Sequence, residues 1–191
     1  VNSNDGSLAS FSSLGPTFDG RIKPDLMAAG CQDSTGRCDG FSDQEGLVST
    51  GTAPRSGPPT TYYRSAGTSM AAPAVAGTVA LMLQEFVERH GVNLDTHPPL
   101  PSTIKAILVQ TAEDLVHDQV APHDPINPDS QAPVLYYQGP DFATGYGLVD
   151  AQAAVDFIHE AASQPLIQES KVFIAAERRQ VYELNVPSST P

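Results

Sequence analysis

Positive charge is scarce in this chain: 10 lysines and arginines stand against 22 aspartates and glutamates in 191 residues. A surface of that sign repels phosphates, so nucleic acid is not expected as a partner. Long hydrophobic runs are also missing. No stretch of ~18 or more uniformly apolar residues occurs, which predicts no membrane span within these 191 residues; no secretory signal or transit peptide is read in them either, and targeting information is expected to precede Val1. Cysteine is nearly absent, with Cys31 and Cys38 the only two. The loop they bracket holds no histidine and one aspartate, too few ligands for a metal. A cysteine pair around a Gly/Ser/Asp loop suits a disulfide if the protein is secreted, worth about 2–3 kcal/mol on the chain-entropy model, with two free surface thiols as the alternative.

What the chain does contain is a serine in a distinctive place. Gly67-Thr68-Ser69-Met70-Ala71-Ala72-Pro73 opens an apolar run in which Thr78 is the only polar side chain from Ala71 to Leu83. A helix starting here would leave its first backbone N–H groups unpaired, at the positive end of its dipole, beside the Ser69 hydroxyl. The ordinary role of a serine before an apolar run is to cap the helix. The seven-residue string as a whole points elsewhere: it resembles the active-site serine motif of the subtilisin-like serine peptidases, the subtilases.

Two more segments carry the resemblance. Ala9-Ser10-Phe11-Ser12-Ser13-Leu14-Gly15-Pro16, followed by Asp19-Gly20-Arg21-Ile22-Lys23-Pro24-Asp25-Leu26-Met27-Ala28-Ala29-Gly30, is similar to the stretch that precedes the serine in subtilases. Ala28-Ala29-Gly30 departs mildly from the A-P-G usual there. Gly145-Tyr146-Gly147-Leu148-Val149-Asp150-Ala151 resembles the element leading into the last helix of the catalytic domain. The resemblance implies an α/β fold: the C-terminal portion of a subtilisin-like three-layer arrangement, with a mostly parallel sheet and a buried helix after the serine. It implies a serine endopeptidase acting on protein or peptide substrates, in a secreted or extracytoplasmic setting.

The resemblance also implies partners that this stretch does not supply. In subtilases the order is Asp, His, Ser, so the acid, the base and the oxyanion asparagine would precede Val1, in an N-terminal half of the same catalytic domain. Asn2 and Asn4 lie too close to the Ala9–Gly15 stretch to replace that asparagine, and Asn-Asp-Gly reads as a turn. His90, His97, His117, His123 and His159 all follow Ser69, in loop or helix-end contexts that suggest solvated side chains. The chain therefore reads as a C-terminal fragment, inactive alone. Its roles would be Ser69 as nucleophile, the Ser69 backbone N–H as one oxyanion donor and Thr68 as support, with Gly67, Met70 and Pro73 shaping the turn. Met70 is expected to be sensitive to oxidation, and Pro73 to disturb the backbone where that costs least. The rival readings are a catalytically inactive subtilase-like binding module and an α/β-hydrolase, whose elbow wants a glycine where Ala71 stands.

Periodicity fills in the rest. Strands are expected at Ala9–Ser12, Leu26–Ala28, Leu47–Thr50 and Tyr62–Arg64. A buried helix should run to His90-Gly91, with Ala72, Val75, Ala76, Val79, Leu83 and Phe86 inward. A second helix is expected from Ser102 or Thr103 to about Ala112, with Ile104, Ile107, Leu108 and Thr111 inward, and a third over Ala151–Ala162. Between them, 114–140 reads as a loop whose Asp118, Asp124 and Asp129, with Asp141 just after it, offer oxygen ligands of the type calcium takes, without a recognised spacing; plain solvated acid is the alternative. No cofactor is required by the chemistry. Residues 1–163 are assigned to the catalytic domain and 164–170 to a linker. Lys171–Ala175 and Gln180–Val186 are assigned as strands opening a β-sandwich-like C-terminal domain over 171–191.

Overall fold

The computed structural model describes residues 1–3, 6–32, 38, 46–50, 62–121, 134–136, 138–163, 166–167 and 169, and for 117–121 and 134–136 the backbone alone. Its elements in chain order are β1 (Leu47–Thr50), β2 (Tyr62–Ser65), α1 (Thr68–His90), α2 (Pro101–Thr111), β3 (His117–Ala121), β4 (Val134–Tyr136) and α3 (Ala151–Ala161). The expected strands at Lys171–Ala175 and Gln180–Val186 lie outside the described residues, as do Asn4, Asp124, Asp129 and His123.

Three helices build the main core. Met82 and Phe86 from α1, Ile104, Ile107 and Leu108 from α2, and Ala154 and Ile158 from α3 form one buried cluster, with Val75, Val79 and Leu83 packed against it. The helix ends follow local chemistry. Gly91 closes α1 in the left-handed conformation, where its N–H reaches the Phe86 and Val87 carbonyls. Pro101 starts α2 at a position where its missing N–H costs nothing. Asp150 caps α3 by accepting from the Ala153 N–H at 2.9 Å.

The helix after the serine is not buried all round, contrary to expectation. Only Thr78, Met82 and Phe86 are fully covered, while Ala72, Pro73, Ala74, Ala76, Gly77 and Ala80 are exposed. Ala72 and Ala76 thus leave the inward stripe, because α3 packs on one side of α1 only. By length and composition α1 is also the one helix among the described residues that would reach across a bilayer, at mean hydropathy 1.5 over 18 residues. In this structure its inner side packs on α3 and carries Thr78, whose hydroxyl donates to the Ala74 carbonyl at 3.1 Å.

The sheet differs from expectation too. Both named sheets among the described residues are two-stranded and antiparallel: β1 with β2 and β3 with β4, the latter pair inside the segment read as a loop. Parallel pairing exists as single bridges, Asn2 with Cys31 and Met27 with Leu148. Ala9–Ser12 forms a turn around Ser10-Phe11, and Leu26–Ala28 contributes one bridge residue. Each segment meets only one or two bonding neighbours here, too few for a ladder.

Candidate functional site

The Gly67-Thr68-Ser69 turn joins β2 to α1. Gly67 stands just before the helix with φ 143° and ψ 170°, a backbone conformation that side chains disfavour, so glycine is the residue that lets the chain swing from strand to helix here. Its carbonyl receives the Met70 N–H at 3.0 Å, and its own N–H donates to the Gly30 carbonyl at 2.8 Å. The turn is therefore tied to the 28–31 segment before it enters the helix.

Ser69 does not cap α1. The N-cap is Gly67, no side chain bonds the first turn, and among the described residues neither the hydroxyl nor the N–H of Ser69 has a hydrogen-bond partner. Both Thr68 and Ser69 are exposed, and Met70 is half-buried behind them. No acidic residue stands in the first turn of α1 to offset its unpaired N–H groups. Ser69 thus presents an exposed hydroxyl beside the unpaired N–H groups at the start of α1. Pro73 sits four residues on, so the Ser69 carbonyl lacks its usual helical donor.

Beside the turn lies a cavity of about 270 Å³ walled by Phe11, Ser12, Leu26, Ala28, Thr68 and Val75. Larger hollows lie away from Ser69: 480 Å³ near Arg21, Lys23, Lys105 and Tyr146, and 430 Å³ between α2 and α3 under Leu166 and Ile167. Glu169 closes the latter by accepting from Leu100 N–H at 2.9 Å and from the Thr103 hydroxyl at 2.5 Å.

Among the described side chains, His90 and His159 stand far from the serine. His90 ends α1, about 30 Å along the helix from Ser69, and bonds the Ile158 carbonyl at 3.0 Å. His159 pairs with Glu85 at 3.0 Å, and His97 meets the Thr96 hydroxyl. Burial raises the Glu85 carboxyl, but Arg89 and His159 outweigh it and hold it below its ordinary value. Among the described residues no cluster of three or more His, Cys, Asp or Glu could hold a metal. Asp141, one of the four acids singled out in the sequence, accepts from Ala143 N–H, Thr144 N–H and the Thr144 hydroxyl. Cys31 and Cys38 are joined by a disulfide and fully buried.

The family model of the subtilases matches residues 1–147. This chain belongs to the subtilase family. Among curated subtilase relatives, it is 30% identical over 149 residues to the serine protease/ABC transporter B family protein tagD of Dictyostelium discoideum, covering 75% of this chain and 8% of that protein. It is 39% identical over 85 residues to the serine protease AprX of Bacillus subtilis, covering 44% of this chain and 18% of AprX. Among solved structures a lanthipeptide protease is 34% identical, with a TM-score of 0.36, over 52% of this chain and 22% of that one. This subtilase chain thus spans a small part of each relative's length.

Sequence motifs located the turn, the helix and the disulfide. They did not reveal Gly30 as the partner of Gly67, because a contact between backbones 37 residues apart leaves no local pattern; the only cue was the glycine itself.

Proposed function

We propose that this chain is the nucleophile-bearing part of a serine endopeptidase. Ser69 Oγ attacks the scissile carbonyl while an upstream histidine, oriented by an upstream aspartate, takes its proton. The Ser69 N–H and an upstream asparagine receive the oxyanion, the histidine passes the proton to the amine as the C–N bond breaks, and water, deprotonated by the same histidine, then hydrolyses the acyl-enzyme and returns Ser69. Thr68 lines the adjoining cavity and supports the site. One observation carries the reading: the Ser69 hydroxyl is exposed and uncommitted at the leading edge of α1, beside unpaired backbone donors. The two relatives quoted above are named as serine proteases, which agrees with it.

The partner for α1's exposed apolar side is the N-terminal half of the same catalytic domain, which would bring the histidine to Ser69. Calcium has no role in the chemical step and would act as a structural ion. The buried disulfide agrees with a secreted or extracytoplasmic setting.

Fluorophosphonate labelling of the full-length polypeptide tests the assignment, since only an activated serine reacts quickly. We expect one label, on Ser69, abolished in Ser69→Ala, and no useful peptide hydrolysis by residues 1–191 alone. A full-length protein that ignores the probe while folded would instead be an inactive subtilase-like module. Turnover by the isolated chain would show that it needs no upstream partners.

A further inference from the structure

The Cys31–Cys38 bridge lies at the back of the nucleophile turn. Gly30, next to Cys31, receives the Gly67 N–H at 2.8 Å and donates its own N–H to the Val1 carbonyl at 3.0 Å. The approach is close enough that a Cβ on Gly30 would stand 2.7 Å from the Gly67 carbonyl oxygen and 3.4 Å from the Ala71 Cβ. Cys31 itself pairs with Asn2, and its carbonyl receives the Ser3 N–H at 2.9 Å. Cys38 brings a second strut: its carbonyl accepts from the Ser10 hydroxyl at 3.3 Å. Both sulfurs lie in one apolar cluster with Ala9, Phe11 and Ala66, and Ala66 is the residue immediately before Gly67.

A disulfide between residues seven apart closes a short ring, and its simplest effect is to restrict the unfolded chain. Its placement asks for more. Gly67 reaches φ 143° without strain but has no side chain of its own to hold it there, so its direction depends on its neighbours, and the two groups that hold it from behind are Gly30 and Ala66. One is bonded covalently to Cys31, and the other packs against the bridge.

We infer that the Cys31–Cys38 disulfide is a positioning device for the nucleophile, fixing the Gly30–Gly67 contact so that the Ser69 hydroxyl and N–H keep their direction. The inference rests on the assignment of Ser69 as nucleophile. Cys31 and Cys38 are positioning residues and touch no reacting atom. Losing them tilts the turn and slows acylation, while substrate contacts made elsewhere persist, so the loss falls on kcat and leaves KM. Misplacement of reacting groups by about 1 Å costs on the order of 100-fold, and a partly relaxed turn is expected to cost ~10- to 100-fold.

The test is the full-length enzyme carrying Cys31→Ala and Cys38→Ala together, assayed well below its melting temperature. The expected result is a ~10- to 100-fold fall in kcat and in the fluorophosphonate rate, with KM within about 2-fold and a cooperative unfolding transition retained. A lower melting temperature with kcat unchanged, or a rise in KM alone, overturns the inference and makes the bridge a staple. If the double variant does not fold, dithiothreitol treatment of the parent enzyme decides. Each bridge then opens to two thiols as the dithiol is oxidised to its cyclic disulfide. Activity lost ahead of circular dichroism supports positioning, and simultaneous loss overturns it. A parent enzyme that is folded, disulfide-intact and unreactive at Ser69 overturns the peptidase assignment itself, and this inference with it.

Discussion

Pro73 and Ser69 are coupled through a bond that is missing. A residue with an N–H at position 73 would donate to the Ser69 carbonyl; proline cannot, so the first turns of α1 stay looser at the serine. Pro73 is itself exposed in residues 1–191, and replacing it there removes no buried contact. Pro73→Ala should therefore leave the melting temperature of residues 1–191 equal or higher, helped by up to ~3 kcal/mol of helix preference. In the full-length enzyme it should lower kcat several-fold as the extra bond draws the Ser69 carbonyl into the helix. Thermal unfolding of residues 1–191 and steady-state kinetics of the full-length enzyme check both. Wild-type turnover would show that the serine does not depend on that loosened turn. At this scale much was legible in the chain, because capping, proline and glycine rules are local. Gly67 before the helix and Pro73 within it both stand in the motif string. The Gly30–Gly67 contact was not legible, since only tertiary packing joins those backbones.

Between elements, α2 is moored to the 21–25 segment by charge. Asp25 accepts from Lys105 on α2 at 2.7 Å and pairs with Lys23 as well. Partial burial pushes its carboxyl up, but the hydrogen bonds and charges of Lys105 and Lys23 prevail and hold it below its ordinary value of 3.8. A depressed folded-state value means that this cluster stabilises the fold fully above pH 3.8 and loses that contribution as pH falls through the folded value. The pair is partly solvated, with Lys105 54% exposed, so its contribution at neutral pH is about 0.5 kcal/mol. Lys105→Met should lower stability by about that amount at pH 7 and shrink the acid-induced loss. Urea unfolding of parent and variant at pH 7 and pH 3 measures the difference; equal pH dependence would remove Lys105 from the account. Helix registers were readable here because Ile104, Ile107 and Leu108 repeat with the helical period, and all three are buried. The β3–β4 hairpin was missed because its strands lie in a Pro/Asp-rich stretch without alternation, where backbone pairing outweighs pattern.

Across the whole molecule the decisive feature is the uncovered side of α1. The sequence led to a helix buried all round, and composition supports that, since a helix apolar on every face has no side suited to water. The structure covers the Met82 and Phe86 side and leaves Ala72, Ala76 and Ala80 open. Composition and structure agree if the remaining half of the catalytic domain packs on those alanines. Ala76→Glu separates the possibilities. In residues 1–191 alone the substitution replaces one good helix former with another on an exposed face, and stability should change by less than about 0.5 kcal/mol. In the full-length enzyme the same carboxylate would be forced into a closed apolar contact without a partner, costing more than about 3 kcal/mol or driving the two halves apart. Denaturation of both forms, with peptide hydrolysis followed on the longer one, makes the comparison. A small and equal effect in both would mean that the open side of α1 faces solvent in the intact enzyme, and that the histidine reaches Ser69 by another route.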